Sequence, residues 1–488
     1  MVQHVRVAIA GTGFSGLGAA IRLRREGIDD FVLLERAGDV GGVWRDNTYP
    51  GCACDVQSHL YAFSFAPNPA WTRAYSPQPE ILDYLRRCAR DHGLLERVRF
   101  HSEVQSARWD GVWHLETATG PLTADLFVAA VGGLSAPSIP ELPGLDRFTG
   151  VAMHSARWDP AWNPAGRRVA VVGTGASAIQ FVPALQPRVE KLVIFQRTPP
   201  WIVPRNDKPI SPRMRRLYAA LPGLQRLVRG LIAGLREVLG VGFRHPALMR
   251  LAEAGARWHL RKSVRDPALR AKLLPDYRMG CKRILVSDDY LPAVAQDNVE
   301  LVTSAVRELR ERSVIAADGS EHAVDTIIFG TGFHVTDPPI ARWIRGRDGR
   351  TLAEAWQGSM KAYLGTTIAG FPNFFLLPGP NTGLGHSSVV AMSEAQVGHF
   401  IDVVRHLARS GAAAVEPSAE AQAAFVREVD RAMRGTVWTE GGCASWYLDR
   451  TGRNSTLWPG SVRAFQRRAA QFDPAAYVPV SSGDPSAA

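Results

Sequence analysis

Two stretches of the chain share one order of hydrophobic and polar positions. The first is VRVAIAGTGFSGLGAAIRLRREGIDDFVLLER, and the second is RRVAVVGTGASAIQFVPALQPRVEKLVIFQR. In each stretch an apolar, β-branched run predicts a strand, a glycine-rich turn and a helix follow, and another apolar run predicts a second strand. This order is typical of a dinucleotide-binding unit, so we expect an α/β fold with two Rossmann-like domains.

Both turns carry the glycine spacing that phosphate binding requires. The first reads Gly-x-Gly-x-x-Gly, and the second reads Gly-x-Gly-x-x-Ala. Glycines permit the tight turn, the close approach of the backbone to a pyrophosphate and the packing of helix on strand, while the helix N-terminus faces the phosphates. In the first unit we expect cofactor contacts from Gly11, Gly13, Phe14, Ser15, Gly16, Glu35 and Arg36.

The charged residue that ends each second strand distinguishes the two cofactors. Glu35 and Arg197 each lie 24 residues after the first glycine of their unit. A carboxylate accepts hydrogen bonds from a ribose 2′-hydroxyl but repels a 2′-phosphate, whereas an arginine attracts that phosphate. We therefore expect FAD in the first unit and NADPH in the second, where the predicted contacts are Gly173, Thr174, Gly175, Ala176, Ser177, Arg197 and Thr198.

Two later apolar runs predict how the chain is divided. DLFVAAVGG from Asp125 and DTIIFGTGF from Asp325 each predict a strand that ends in small residues, where a backbone can approach a cofactor closely. We expect an FAD-binding domain in 1–140 and 336–480, the latter also shaping the substrate pocket. The other predicted parts are an NADPH-binding domain in 141–207 and 276–335, a helical insertion in 208–275 and a flexible tail in 481–488.

The predicted helical insertion begins with apolar residues at helical spacing among arginines. Leucines and valines recur from Leu217 to Val238, and Pro222 predicts a break. The segment either packs on the protein's own core, or places a cationic face on a membrane or at the entry of an apolar substrate. No window reaches the roughly 18 apolar residues of a membrane span. We therefore expect no stable membrane insertion and at most a peripheral contact through 213–240.

Composition narrows the function classes further. The chain has 488 residues, which predicts two or three domains, and a net charge of +11 that comes from arginines spread along the sequence. This spread does not favour nucleic-acid binding. The five cysteines include Cys52-Ala-Cys54, which has neither zinc-ligand nor CxxC spacing, so we expect no metal and a reduced, cytoplasmic protein. The N-terminus runs directly into a strand and leaves no room for a signal peptide.

A motif between the two units is similar to a known fingerprint. FTGVAMHSARWD at 148–159 resembles that of the type I Baeyer–Villiger monooxygenases, with aspartate at its variable final position. Related flavin N- and S-monooxygenases usually show a shorter version that lacks the tryptophan. Three further pieces, GGVW at 41–44, YPG at 49–51 and GCKR at 280–283, extend the resemblance over most of the chain.

The resemblance implies a glutathione-reductase-like flavoprotein that uses FAD, NADPH and dioxygen to convert a ketone to an ester or lactone. It implies that Arg283 is the cation that stabilises a flavin C4a-peroxide and that Asp55 positions Arg283. Lys282 would help Arg197 to hold the NADPH 2′-phosphate. His154 would act at the domain hinge, and Trp158 completes the implied catalytic set. The neighbouring Cys281 is expected to serve packing alone.

The resemblance also implies contacts outside the glycine-rich turns. Gly42, Trp44, Asp55 and Tyr61 are expected at the FAD. The C-terminal part of the chain also predicts a glycine-rich turn that feeds a helix, and the N-terminal amides of this helix, around Asn381 and Thr382, are expected to face the flavin. Trp446 resembles a pocket tryptophan that contacts nicotinamide and substrate, but the chain then continues LDRTGRNSTLWPG and departs from the enzymes of cyclic ketones. The apolar insertion favours a hydrophobic ketone without specifying which one.

Three alternatives stay open at this point. The nearest is a flavin monooxygenase that oxygenates amines or sulfides by the same chemistry. A pyridine nucleotide–disulfide reductase is more distant, since Cys52 and Cys54 lack the spacing of its dithiol. A flavin-binding redox sensor without turnover is the third.

Overall fold

The computed structural model describes residues 2–480, so the tail predicted in 481–488 lies outside the described residues. Its strands, in chain order, are β1 Gln3–Ala10, β2 Phe31–Leu34, β3 Val98–Arg99, β4 Val104–Asp110, β5 Val112–Thr117, β6 Gly120–Ala129, β7 Val151–His154, β8 Arg168–Val172, β9 Lys191–Phe195, β10 Ile202–Val203, β11 Leu285–Val286, β12 Val299–Val302, β13 Val306–Arg310, β14 Ser313–Ala316, β15 Glu321–Ala323, β16 Thr326–Phe329, β17 Ile344–Arg345, β18 Phe374–Leu376, β19 Ala414–Pro417 and β20 Tyr477–Val480.

The α-helices are distributed between these strands and in a run after β10. They are α1 Phe14–Arg25, α2 Val43–Asp46, α3 Gln78–Asp91, α4 Ala178–Leu185, α5 Pro212–Ala220, α6 Pro222–Arg244, α7 Met249–Ser263, α8 Pro267–Leu273, α9 Tyr290–Val294, α10 Leu352–Trp356, α11 Val389–Ser410, α12 Ala419–Met433, α13 Val437–Glu440 and α14 Val462–Ala469. Short 3₁₀ turns connect several of them.

In the first sheet, β1 is an inner strand that pairs in parallel with β2 and β6. The strand order is β17-β4-β5-β6-β1-β2-β3, and β18 also pairs with β6. Strand β17 pairs with β4, and β18 pairs with β6. Both strands belong to the C-terminal part of the chain, which therefore returns to this sheet. Apolar side chains of β1 pack to both sides, which is the pattern of a sheet covered on both faces.

The second sheet is parallel and has the order β12-β9-β8-β16-β7. The run that follows Asp325 forms β16, which pairs with β8 and with β7. Strand β7 carries the first half of the linker motif and ends at His154. The two sheets, each with a glycine-rich turn after an inner parallel strand, confirm the predicted α/β fold with two Rossmann-like units.

Between β10 and β11 the chain forms α5 to α8. The predicted break lies where expected, because α5 ends at Ala220 and α6 begins at Pro222. A proline fits this position, since the first helical residue needs no hydrogen-bonded amide. Within residues 2–480, no helix is both long enough and apolar enough to cross a membrane.

The cysteines include one disulfide, between Cys281 and Cys443, which are 162 residues apart. The expectation that the cysteines stay reduced, with Cys281 serving packing alone, is therefore wrong for this pair. The remaining described cysteines, Cys52, Cys54 and Cys88, are buried and free. The disulfide ties the segment that carries Arg283 to the segment that carries Trp446.

Candidate active site

The first glycine-rich turn is shaped by close backbone contacts. Gly11 has φ +103°, and a Cβ there would lie 2.5 Å from the carbonyl oxygen of Ala130. A Cβ on Gly16 would collide with the carbonyl of Gly11. At Gly13 the nearest atom to a Cβ is 3.9 Å away, on Gly42, so the space above the N-terminus of α1 is open. A helix N-terminus that faces open space fits a pyrophosphate.

Glu35 lies directly after β2, beside this turn, and only 3% of it is exposed. Its carboxylate accepts hydrogen bonds from the Thr12 amide (3.2 Å) and hydroxyl (2.5 Å), and it pairs with Arg45 at 2.8 Å. The carboxylate is thus anchored where an FAD ribose is expected. Arg36 is exposed and pairs with Asp46 at 2.9 Å. The sequence pattern missed Thr12 and Arg45, although Thr12 is the variable residue of the Gly-x-Gly turn.

Aromatic side chains line the same turn. The Trp44 indole nitrogen donates to the Tyr61 hydroxyl at 3.0 Å, and the Phe14 ring meets the Tyr61 ring edge-on at 5.1 Å. Phe14 and Ser15 form the start of α1, and the Ser15 hydroxyl donates to Ser393 at 3.1 Å. The predicted FAD contacts of this region therefore lie together around the N-terminus of α1.

The second glycine-rich turn repeats the first with one difference. Gly173 has φ +102°, and a Cβ there would lie 2.6 Å from the carbonyl oxygen of Gly330, whereas Gly175 is open. The Thr174 hydroxyl donates to the Thr198 carbonyl at 3.4 Å, which connects the turn to the end of β9. Helix α4 begins only at Ala178, so Ala176 and Ser177 lie in the turn itself.

Two cations converge beyond this turn. Arg197 is exposed, and Lys282 is half-buried with its ammonium 5.1 Å from the centre of the Tyr277 ring. Burial lowers the pKa of Lys282, and the neighbouring charge of Arg197 lowers it further. Neither side chain forms an ion pair with any described residue. Two neighbouring unpaired cations fit a phosphate, which would relieve their repulsion.

Asp55 and Arg283 form the ion pair that the resemblance implied. The Nε and Nη2 atoms of Arg283 both lie 2.7 Å from one Asp55 carboxylate oxygen, and only about a quarter of each side chain is exposed. Burial by itself would raise the pKa of Asp55, but the guanidinium charge outweighs it and the pKa is lowered. The same attraction raises the pKa of Arg283. The pair is therefore ionised, and the guanidinium is fixed in direction.

Tyr447 is a neighbour of this pair that the sequence did not reveal. It is fully buried, and its hydroxyl has no hydrogen-bond partner among the described residues. Burial raises the pKa of Tyr447 to about 12, while the nearby charge of Arg283 acts in the opposite direction. The predicted pocket residue Trp446 packs against Tyr447 but is 44% exposed. The resemblance pointed to the right segment and missed its inward residue.

The contacts of His154 and Trp158 are with residues other than the Asp55–Arg283 pair. His154 is buried at the end of β7, its Nδ1 accepts from the Ala156 amide at 3.1 Å, and its ring meets Phe333 edge-on. Burial lowers the pKa of His154, so the ring is neutral near neutral pH. Trp158 packs against Phe181 of α4. Both residues thus join the linker to the second sheet, and the roles implied for them stay predictions.

The placement of the turn at Asn381 needs a correction. Helix α11 begins only at Val389, with Ser388 as its N-cap, so Asn381 and Thr382 lie in a loop before it. The Asn381 side chain donates to the carbonyls of Asn454 (2.8 Å) and Leu457 (3.0 Å). The apolar residues that start α11 set its boundary, whereas the glycine-rich stretch is held by the C-terminal loop. The predicted helix N-terminus at these two residues is therefore wrong.

Comparison with known proteins shows the family. A family model for flavin-binding monooxygenase-like proteins matches residues 4–215. A Baeyer–Villiger monooxygenase of Streptomyces coelicolor is 54% identical over 97% of this chain and 92% of its own length. The chain belongs to the Baeyer–Villiger monooxygenases. This family membership confirms the resemblance and the predicted class of flavin-dependent monooxygenase.

Solved structures of Baeyer–Villiger monooxygenases agree with this assignment. A closed crystal structure of cyclohexanone monooxygenase has a TM-score of 0.88 and 30% identity, covering 99% of this chain and 100% of that chain. A complex of OTEMO with FAD and NADP has a TM-score of 0.89 and 26% identity, covering 98% of this chain and 100% of that chain. The two-unit flavoprotein architecture is therefore that of the family.

The residues of this chain fit both cofactors. The open space beside Gly13, at the N-terminus of α1, would take the FAD pyrophosphate, and a Cβ at Gly11 or Gly16 would close that turn. On the second unit, the unpaired cations Arg197 and Lys282 fit the extra phosphate of NADPH. No cluster of potential metal ligands lies within residues 2–480.

Proposed function

We propose that this monooxygenase converts a hydrophobic ketone to an ester or lactone with NADPH and dioxygen. The observation that carries the proposal is the half-buried guanidinium of Arg283, fixed by Asp55 at 2.7 Å and one residue from Lys282. An arginine does not lose its charge, so it supplies a permanent cation where an anionic oxygen nucleophile must be kept deprotonated. We include a cytoplasmic location in the proposal, as the sequence predicts.

FAD, when bound and reduced by NADPH, supplies the activation of dioxygen. The chain's own contribution is to hold charge and exclude water around the reacting oxygen. Asp55 fixes the direction of Arg283, and the Arg283 Nη1 also donates to the Leu384 carbonyl at 3.4 Å. With the guanidinium held from both sides, little reorganisation is needed when negative charge develops beside it.

We propose that Arg197 and Lys282 select NADPH over NADH by holding the 2′-phosphate. Their mutual repulsion, which contributes to the lowered pKa of Lys282, supports this role. Because Lys282 and Arg283 are adjacent, the 2′-phosphate contact and the reactive cation sit on one short segment. Occupation of the coenzyme site would therefore steady the position of Arg283.

We propose that His154 and Trp158 serve the movement between the two units. His154 ends β7 at the edge of the second sheet, and Trp158 packs on α4, so both fix the linker rather than the reacting carbon. A buried neutral imidazole suits a hinge contact better than proton transfer. Gly150 supports the same role, because a Cβ there would collide with the Asp325 carbonyl and the Phe148 ring.

We propose a hydrophobic substrate because an apolar cluster lies beside the segment that carries Arg283. The Phe243 ring stacks on Trp438 at 5.4 Å, and both pack with Cys281 and Tyr447 in one apolar cluster. We propose that Trp446 closes this region over the ketone. We also propose that residues 213–240 make a peripheral contact outside the enzyme, because α6 exposes apolar side chains there.

The test is product analysis with the FAD-loaded enzyme. The enzyme is incubated with NADPH, ¹⁸O₂ and linear, cyclic, aryl and steroid ketones, and products are followed by mass spectrometry. An ester or lactone that carries one ¹⁸O atom is the expected result. Oxygenation of sulfides or amines with every ketone left intact would favour the N- or S-monooxygenase alternative. Absence of NADPH-dependent oxygen consumption with all substrates would contradict both functions.

A further inference from the structure

Helix α6 has an unusual distribution of side chains. Its outward side carries Leu227, Leu231, Leu235, Val238 and Leu239, whose exposed fractions lie between 52% and 68%. Their spacing of four, four, three and one residues places them on one face of the helix. Exposed apolar residues are common singly, but a continuous row of this length marks a surface that meets an apolar partner.

The inward side of α6 is held by polar contacts as well as by apolar packing. Gln225 donates to the Asn68 carbonyl at 2.7 Å. Arg229 donates to the carbonyls of His59 and Ala62, both at 2.9 Å, and Arg236 binds the Gln57 amide oxygen. These arginines bind neutral oxygens of the FAD-binding part, so the helix is firmly seated. Because these contacts fix the orientation of the helix about its axis, its leucines face outward.

The exposed charged residues around the apolar row, between 208 and 262, are all cationic. Between 208 and 262 the acidic residues are Glu237, which accepts from the Val462 amide, and Glu253, which is buried against Arg278. The exposed charged residues of this stretch are Lys208, Arg213, Arg216, Arg226, Arg244, Arg250, Arg257, Arg261 and Lys262. The apolar row is thus surrounded by cations, with no exposed carboxylate in this stretch.

The flanking helices extend the same apolar character. Leu217 and Leu221 stand at the junction of α5 and α6, and Leu248 and Leu251 follow α6, with Leu251 80% exposed. An apolar row with a cationic margin is the pattern of a helix that lies in the interface of a bilayer. A second copy of the chain would bring the cationic margins together, and that repulsion disfavours self-association.

We propose that α6 and its flanking helices dock this enzyme on a bilayer surface rich in anionic lipids. The leucines enter the boundary of the acyl chains, and the arginines meet the lipid phosphates. On the inward side of α6, Gly240 lies against His386 and Phe243 packs against Gly280. Docking would therefore place the segment that carries Arg283 close to apolar substrate dissolved in the bilayer. The inference rests on the proposed peripheral contact and is independent of the proposed reaction.

The experiment is co-sedimentation of the FAD-loaded full chain with sucrose-filled vesicles, without NADPH or ketone. We expect binding to vesicles of phosphatidylcholine mixed with phosphatidylglycerol, little binding to phosphatidylcholine alone, and release by salt. Leu231→Ser with Leu235→Ser should abolish sedimentation, whereas Val2→Ser with Leu95→Ser, two apolar residues exposed elsewhere, should not.

Arginine variants test the charge separately. Arg226→Glu with Arg244→Glu should weaken binding to the anionic vesicles at least thirtyfold, because each arginine near such a surface contributes about 1 kcal/mol. Arg90→Glu with Arg97→Glu, two exposed arginines far from α6 in sequence, is the control. Flavin absorbance and the melting temperature verify that each variant is folded.

Three outcomes would overturn the proposal. They are equal binding to both kinds of vesicle, no binding to either, and a stable dimer that the Leu231→Ser, Leu235→Ser variant separates while the wild type ignores vesicles. Light scattering after size exclusion reports the last of these. Product formation from soluble ketones is measured separately, so failure of the proposed reaction leaves the vesicle result intact.

Discussion

Removal of the Arg283 guanidinium should separate NADPH oxidation from ester formation. In Arg283→Ala the contacts to Asp55 at 2.7 Å and to the Leu384 carbonyl at 3.4 Å are lost, and no other described cation forms an ion pair with Asp55. Loss of one such stabilising donor typically costs about 3 to 4 kcal/mol in the transition state, which is on the order of a hundred- to a thousandfold in rate. Flavin reduction does not use this cation and should continue.

The assay compares NADPH consumed with ester and hydrogen peroxide formed. We expect Arg283→Ala to consume NADPH at a rate close to wild type, with nearly all of it recovered as hydrogen peroxide. Arg283→Lys should recover part of the ester, because a lysine keeps the charge but lacks the planar donors that Asp55 holds. Asp55→Asn should lie between wild type and Arg283→Ala, since the charge remains and only its direction is lost.

The reasoning would be refuted by ester formation in Arg283→Ala within threefold of wild type. It would also fail if NADPH oxidation fell in parallel with ester formation, since that pattern indicates damage to flavin binding. The double variant Arg283→Ala, Asp55→Asn is the matched control, because it removes the unpaired carboxylate as well. If Arg283 acts as proposed, the double variant makes no more ester than Arg283→Ala.

Four further predictions test other parts of the site. Arg197→Ala should raise the KM for NADPH about tenfold or more, because a charged hydrogen bond contributes about 1.5 to 3 kcal/mol, while steady-state kinetics with NADH should change little. Cys443→Ser should lower the melting temperature, because loss of a disulfide typically costs about 2 to 4 kcal/mol, and a reducing agent should destabilise the wild type but not the variant. The pKa of Asp55 is lowered in the folded protein, so the stability from its ion pair is present at neutral pH and is lost as pH falls below about 4. When the melting temperature is measured at decreasing pH, Asp55→Asn should therefore lose less of its melting temperature than the wild type. Gly150→Ala should destabilise the protein by about 1 to 3 kcal/mol, since its Cβ collides with backbone, and an unchanged denaturation midpoint would contradict the packing role of the linker motif.

The sequence by itself determined the two dinucleotide-binding units. A strand, a glycine-rich turn and a helix are local features that neighbouring residues specify. The positive φ of Gly11 and Gly173 in the structure agrees with the glycine requirement that the motif predicts. The contrast between Glu35 and Arg197 is also local, because each residue directly follows its strand. The break at Pro222 belongs to the same group, since the fixed φ of proline acts within one turn of helix.

Tertiary structure alone decided what distant segments bring together. Asp55 and Arg283 are 228 residues apart, and only the family resemblance suggested their pairing. No pattern in the sequence indicated the Cys281–Cys443 disulfide or the position of Tyr447 beside Arg283. In each case the two residues lie far apart in the chain. The loop at Asn381, where the sequence predicted the start of a helix, is likewise held by the C-terminal segment.

Helix α6 gives the physical reason most clearly. Apolar residues surround much of this helix, so periodicity predicted the helix but could not identify its buried side. The structure turns Gln225, Arg229 and Arg236 toward carbonyl and amide oxygens and leaves Leu227 and Leu231 outside. Local sequence fixes the conformation of a segment, whereas which face is buried depends on the groups that the rest of the fold presents to it.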